Sequence, residues 1–132
     1  MKIHHIGYLI KNIEKALNEF ITFGYNIMIP ITYDQYRDID ICFIEKDGYL
    51  VELISPKSEK SVVANLLNKI GNMPYHLCYI SDNMDKDINQ LRERGWLVLG
   101  GGIAPSPVIS DTSSVIFLFH NDIGIIELLK PA

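Results

Sequence analysis

The sequence predicts an α+β fold made of two tandem copies of one strand–helix–three-strand unit, and three observations point to it. Short runs rich in β-branched and aromatic residues alternate with stretches whose apolar residues recur at helical spacing. Residues 5–25 lie over residues 76–96 without a gap, and six of the 21 pairs are identical: His5/His76, Tyr8/Tyr79, Asn12/Asn83, Lys15/Lys86, Asn18/Asn89 and Gly24/Gly95. Composition alone would give about one or two. Finally, each half closes on an aliphatic strand with one glutamate in its middle, Leu50-Val51-Glu52-Leu53-Ile54 and Ile125-Ile126-Glu127-Leu128-Leu129. A shift of four more residues, as an inserted glycine-rich loop would require, lays Glu52 on Glu127 and Pro56 on Pro131. The 132 residues are one domain's worth, with modules over 1–56 and 74–132 joined by a helix over 58–70.

Taken in order, residues 2–10 read as a strand. Asn12 can cap the helix that follows, because its side chain can accept from first-turn amides. Ile13, Ala16, Leu17 and Phe20 share one helical face, and Gly24 closes the helix. Residues 25–32 form a second strand, with Pro30 marking an edge position or a bulge. Residues 33–38 are polar and read as a loop. Strands over 39–44 and 49–55 flank Glu45-Lys46-Asp47-Gly48, a hairpin signal. Ser58 opens the connecting helix, with Val62, Val63, Leu66, Leu67 and Ile70 on its apolar side and Gly71 at its end. The second copy runs as a strand over 75–80, a helix over 83–94 and a strand over 96–99. A loop with Gly100 to Gly102, Pro105 and Pro107 follows, then strands over 115–119 and 123–129.

Composition narrows the function. Hydrophobic residues make up 48% and charged residues 21%, as in an ordinary soluble domain. A net charge of −4 offers no basic face for nucleic acid. No apolar run approaches the ~18 residues of a membrane span, and the start of the chain lacks a secretion-signal pattern, so a cytoplasmic location is expected. Cys42 and Cys78 sit inside apolar runs and read as two buried thiols in a reducing compartment.

The chemistry gathers on four residues. A carboxylate buried among branched aliphatics costs many kcal/mol unless something pairs with it or binds it. Each half supplies one histidine from its first strand and one glutamate from its last. If the halves pack about a pseudo-twofold axis, His5, Glu52, His76 and Glu127 can converge on one point. Two imidazoles and two carboxylates suit a divalent transition metal, octahedral with one or two waters, which would also offset the burial of the glutamates. Taken singly, a strand histidine is more often a core residue and a strand glutamate usually faces solvent. The repeat is what links the four. His4 competes with His5 for the inward position, and the repeat register chooses His5. His120 falls next to a turn and reads as solvated. No serine or cysteine with an adjacent base emerges, which fits proton transfer rather than acyl transfer.

The runs His5-Ile6-Gly7-Tyr8, Val51-Glu52-Leu53-Ile54-Ser55-Pro56, Tyr75-His76-Leu77-Cys78-Tyr79 and Gly124-Ile125-Ile126-Glu127-Leu128 resemble the vicinal oxygen chelate superfamily. Within it they are similar to the short bacterial glyoxalase I and methylmalonyl-CoA epimerase branch. The resemblance covers essentially the whole chain and implies two βαβββ modules whose curved mixed sheets surround a metal, commonly nickel, cobalt, zinc or manganese. It implies that the metal chelates vicinal oxygens of the substrate and stabilises an enediolate or enolate. Glu127 is then the base that moves a proton α to a carbonyl, and Glu52 a ligand or second base. Glyoxalase I-type, lactoylglutathione lyase-like chemistry on a hemithioacetal is the first expectation, and epimerisation of a methylmalonyl-type thioester the second. A metal-free, drug-sequestering protein like the bleomycin-resistance proteins is a third reading, which the retention of both buried carboxylates argues against. An extradiol-type dioxygenase would leave the position of Glu52 open. Arg37 could hold a substrate carboxylate, or could be a solvated loop arginine. The loop 100–107 could border the pocket mouth, or be a plain inserted connection. Arg92 and Arg94 favour a helix C-terminus and need no further role. A small-molecule substrate and a homodimer are the implied partners.

Overall fold

The computed structural model describes residues 1–131. It contains nine strands and three helices: β1 (Lys2–Leu9), α1 (Ile13–Thr22), β2 (Asn26–Asp34), β3 (Ile39–Lys46), β4 (Tyr49–Pro56), α2 (Ala64–Ile70), β5 (Met73–Ile80), α3 (Met84–Glu93), β6 (Leu97–Val98), β7 (Ala104–Pro105), β8 (Ser114–His120) and β9 (Gly124–Lys130). The fold is α+β. The chain divides into two units, one of residues 5–75 and one of residues 76 onward together with residues 1–4.

In the first unit the strand order is β2-β3-β4-β1. The sheet is mixed: β1 runs parallel to β4, with Gly7 opposite Glu52, while β3 is antiparallel to both β2 and β4. Pro30 sits on the outer strand, where its missing amide breaks no ladder, and the β2–β3 register slips between Ile29 and Thr32. The β3–β4 turn is Asp47-Gly48 with φ of 55° and 84°, the two left-handed positions of a type I′ hairpin. Strand alternation gives the sheet two faces. Helix α1 covers one of them, packing Ile13 and Leu17 against Cys42, Ile44, Val51 and Leu53. His5, Gly7, Phe43 and Glu52 therefore lie on the other.

The second unit has the order β5-β9-β8-β6, with β7 also paired to β8. Strand β5 runs parallel to β9, with Cys78 opposite Glu127. Helix α3 packs Met84 and Ile88 against Ile116, Leu118, Ile126 and Leu128. Both helices begin alike: the Asn12 and Asn83 side chains accept from Lys15 N and Lys86 N, each at 3.1 Å. They also end alike, with Gly24 and Gly95 at φ 94° and 92°, a conformation that a Cβ would strain.

Five expectations are corrected. The helix expected over 58–70 covers only Ala64–Ile70. Ahead of it, Ser58 donates to Asp38 and accepts from Lys60 N, while Ser61 Oγ accepts from Val63 N, so local side-chain bonds hold turns where a helix would otherwise start. The strand expected over 96–99 shrinks to Leu97–Val98, and a short strand, β7, appears within the glycine–proline loop. The loop expected over 33–38 starts later, because β2 continues to Asp34. The four-residue shift between the copies is not all in that loop. Phe43 and Phe117, opposite Glu52 and Glu127, are offset by three more residues than the helices, and the fourth enters where the Asp47-Gly48 turn is replaced by the three residues 121–123.

Candidate metal centre

Each unit builds one histidine–glutamate pair, and the two are built alike. His5 lies two residues before Gly7, the residue registered with Glu52, so both side chains leave the same face of neighbouring parallel strands. His5 Nε2 lies 3.3 Å from Glu52 Oε1. His76 stands in the same relation to Cys78 and Glu127, and His76 Nε2 lies 3.2 Å from Glu127 Oε1. All four residues are buried, with exposures of 1% for His5, 6% for Glu52, 5% for His76 and 4% for Glu127. His4, the competitor of His5, is only half-buried.

Those separations test the pairs as metal ligands. A charge-assisted N–H···O bond is shorter, about 2.7–2.9 Å. Two donors on one ion, with bonds of about 2.1 Å at tetrahedral or octahedral angles, stand roughly 3.0–3.4 Å apart. The imidazole–carboxylate separations fall in that range, and nitrogen with carboxylate oxygen suits a divalent cation of borderline hardness. The residues fit the group.

Residues that the sequence did not single out complete each pair. The Phe43 ring meets the His5 imidazole edge-to-face, with centroids 5.3 Å apart and planes at 85°. Phe117 meets His76 at 5.3 Å and 90°. Each phenylalanine is also the antiparallel cross-strand partner of its glutamate. The signal was present in the repeat but hidden by the intermediate offset.

The remaining candidates have other surroundings. Arg37 Nη1 donates to Asp34 Oδ2 at 2.8 Å, and Asp34, fully buried, also accepts from Tyr36 N. Arg37 thus sits in a partly buried ion pair at the β2–β3 turn, not in open solvent. Nearby, Ser58 and Tyr33 donate to Asp38, and these two hydrogen bonds hold its carboxyl below the usual carboxylate range. The same bond from Tyr33 to Asp38 raises the phenol above its ordinary value. Burial pushes the Cys42 thiol up, which keeps it protonated and unreactive. Cys78 is buried as well. His120, expected to be solvated, instead packs on Trp96 with ring centroids 5.2 Å apart, and its Nδ1 accepts from Asp122 N.

Duplicated α+β units that each bury a histidine–glutamate pair set the class of protein to be sought, and comparison shows the family. A family model described as the Glyoxalase/Bleomycin resistance protein/Dioxygenase superfamily matches residues 4–131. The chain belongs to this superfamily, the vicinal oxygen chelate proteins. Among solved structures, a hypothetical protein from Bacillus halodurans C-125 is 21% identical with a TM-score of 0.84, covering 99% of this chain and 94% of that one. Methylmalonyl-CoA epimerase from Mycobacterium tuberculosis is 20% identical with a TM-score of 0.79, covering 99% and 88%. A single-residue variant of Streptomyces coelicolor methylmalonyl-CoA epimerase, in complex with 2-nitronate-propionyl-CoA, is 20% identical with a TM-score of 0.82, covering 100% and 95%. At these identities the likeness establishes the fold. No curated protein matches the chain in sequence. Among the described residues, no helix is long and apolar enough to cross a membrane.

Proposed function

We propose that the chain is a divalent-metal-dependent enzyme that moves a proton α to a carbonyl. The observation that carries this reading is the pair of equivalent, buried imidazole–carboxylate contacts at 3.3 and 3.2 Å. In this reading His5, Glu52, His76 and Glu127 hold one ion, with nickel, cobalt, zinc and manganese as candidates. When bound, the cation supplies Lewis-acid polarisation of the substrate carbonyl, which makes the α C–H bond more acidic. Glu127 takes the α proton, the electron pair of the broken C–H bond delocalises toward the carbonyl oxygen, and the proton returns either to the same carbon from the same or the opposite face, as in an epimerisation, or to the neighbouring former carbonyl carbon, as for a hemithioacetal. Glu52 is the second carboxylate, a ligand or the acid–base partner on that opposite face. Burial of all four side chains keeps bulk water from competing for the abstracted proton. Arg37, oriented by Asp34, is the candidate for a substrate carboxylate.

Two substrate classes fit the chemistry. The solved relatives include methylmalonyl-CoA epimerases, one with a bound methylmalonyl-CoA and two of them named above, which brings an acyl thioester to the front. The hemithioacetal of a glyoxalase I-like, lactoylglutathione lyase-like enzyme is the second reading, and it uses the same four motif runs. Two buried thiols suit a reducing, cytoplasmic setting, and a homodimer completes the proposal.

The test is an assay in deuterated water, after reconstitution with each of the four metals, with methylmalonyl-CoA and with the glutathione hemithioacetal of methylglyoxal. Deuterium should enter either the α carbon of methylmalonyl-CoA or, in the hemithioacetal product, the former carbonyl carbon next to the one that lost its proton, and Glu127→Gln should slow this by about 10²–10⁴-fold. A chain that retains no divalent metal after dialysis, or a Glu127→Gln variant with full turnover, would overturn the reading.

A further inference from the structure

We infer that Phe43 and Phe117 are positioning residues that hold the imidazoles of His5 and His76 in the orientation a metal needs, an inference that rests on the metal reading above. An imidazole turns about a broad χ2, so burial alone does not fix the plane in which the ring lies. A flat neighbour set nearly perpendicular to it does. In both units the planes stand within a few degrees of perpendicular, 85° and 90°, at the same 5.3 Å separation. In both, the phenylalanine comes from the strand antiparallel to the one that carries the glutamate, and registers with that glutamate. One phenylalanine therefore borders both members of its pair, with the histidine's Nε2 turned toward the carboxylate.

Core filling alone would not require this geometry. Volume can be kept by an aliphatic side chain such as leucine, whereas a repeated ring-plane angle cannot. The two surroundings differ as well. Phe43 is fully buried, while Phe117 is half-buried and packs beside Cys78, Val115 and Leu129. The ring contact is kept although the packing around it is not.

Phe117 is the cleaner test because its replacement disturbs less of the core. Phe117→Leu keeps bulk and removes the ring, and Phe117→Tyr keeps the ring. Ile116→Ala is the control: it loosens the same strand on the helix-covered face, away from the imidazole. In metal-free protein, the His76 ring resonances should be sharp in the wild type, in Phe117→Tyr and in Ile116→Ala, and exchange-broadened in Phe117→Leu, since loss of the Phe117 ring current alone would shift them without broadening them. Titration with Co²⁺ should show affinity weakened about tenfold in Phe117→Leu and nearly unchanged in the other two, the scale on which groups behind metal ligands act. His76 resonances as sharp in Phe117→Leu as in the wild type would overturn the inference, as would an equal loss of Co²⁺ affinity in Ile116→Ala. A wild-type chain that binds no Co²⁺ would sink the metal reading instead, while the metal-free resonances would still decide whether the ring is held by its neighbour.

Discussion

The two halves of the chain agree at their histidine–glutamate pairs and diverge at their outer strands. In the first, β2 is nine residues long and pairs with β3 along most of its length. In the second, the equivalent strand is broken into β6 and β7, two residues each, with a glycine-rich connection between them. The cap, the helix, the inner three strands and the His–Glu–Phe cluster are nevertheless reproduced. An outer strand can therefore be taken apart without disturbing the pairs, because they are fixed by the parallel contacts of β1 with β4 and of β5 with β9.

The largest effect should come from breaking the functional symmetry of the glutamates. Glu127→Gln should cost about 10²–10⁴-fold in turnover, and Glu52→Gln should act first on metal affinity, with both read by deuterium exchange and by Co²⁺ titration. Equal turnover losses at equal metal occupancy would mean that the halves share the acid–base work. The next effect concerns the cores. Leu53 and Leu128 are fully buried at equivalent positions, so Leu53→Ala and Leu128→Ala should each destabilise by about 2–5 kcal/mol in urea unfolding. A marked inequality would show that the broken outer strand softens the second core. Smaller still are the caps: Asn12→Ala and Asn83→Ala should each cost about 1 kcal/mol by the same measurement.

The last prediction concerns a device confined to the first half. Asp38 titrates below its ordinary value, so its contribution to stability is present above about pH 4 and is lost as pH falls through its depressed folded value. Tyr33 titrates above its ordinary value, so its contribution is intact below about pH 10 and is lost as pH rises through its elevated folded value. Once the intrinsic pH dependence of amide exchange is divided out, protection at residues 33–38 should fall at both extremes, and at high pH the hydroxyl-bonded turn of Ser110 and Ser113 should keep its protection.

Much of this was legible in the residues. The Asn12/Asn83 and Gly24/Gly95 identities marked helix ends correctly, because caps are local and depend on one or two side chains. Pro30 marked the outer strand for a similarly local reason. The choice of His5 over His4 followed from strand alternation once the register was known. The connecting helix was overextended because Val62 and Val63 completed an apolar periodicity, while Ser58 and Ser61 were committed to turn hydrogen bonds made partly with the distant Asp38. The shortness of β6 was equally hidden, since strand length there depends on pairing with β8 and not on Trp96 to Leu99 themselves. The phenylalanines went unread for a subtler reason. Their offset of 74 matches neither the 71 of the helices nor the 75 of the glutamates, and only the different turns resolve it.

Such a chain can change its length in some places and not in others. Side chains in β9 alternate between the helix-covered face and the face of Glu127, so one residue added or removed inside the strand reverses its parity. The carboxylate would then be carried into the aliphatic cluster, and Ile126 or Leu128 would take its place beside His76. The segment between Val98 and Ser114 has no such parity to protect. It has absorbed three extra residues relative to the first half, and it is where further insertions would reshape the protein's surroundings without erasing its chemistry.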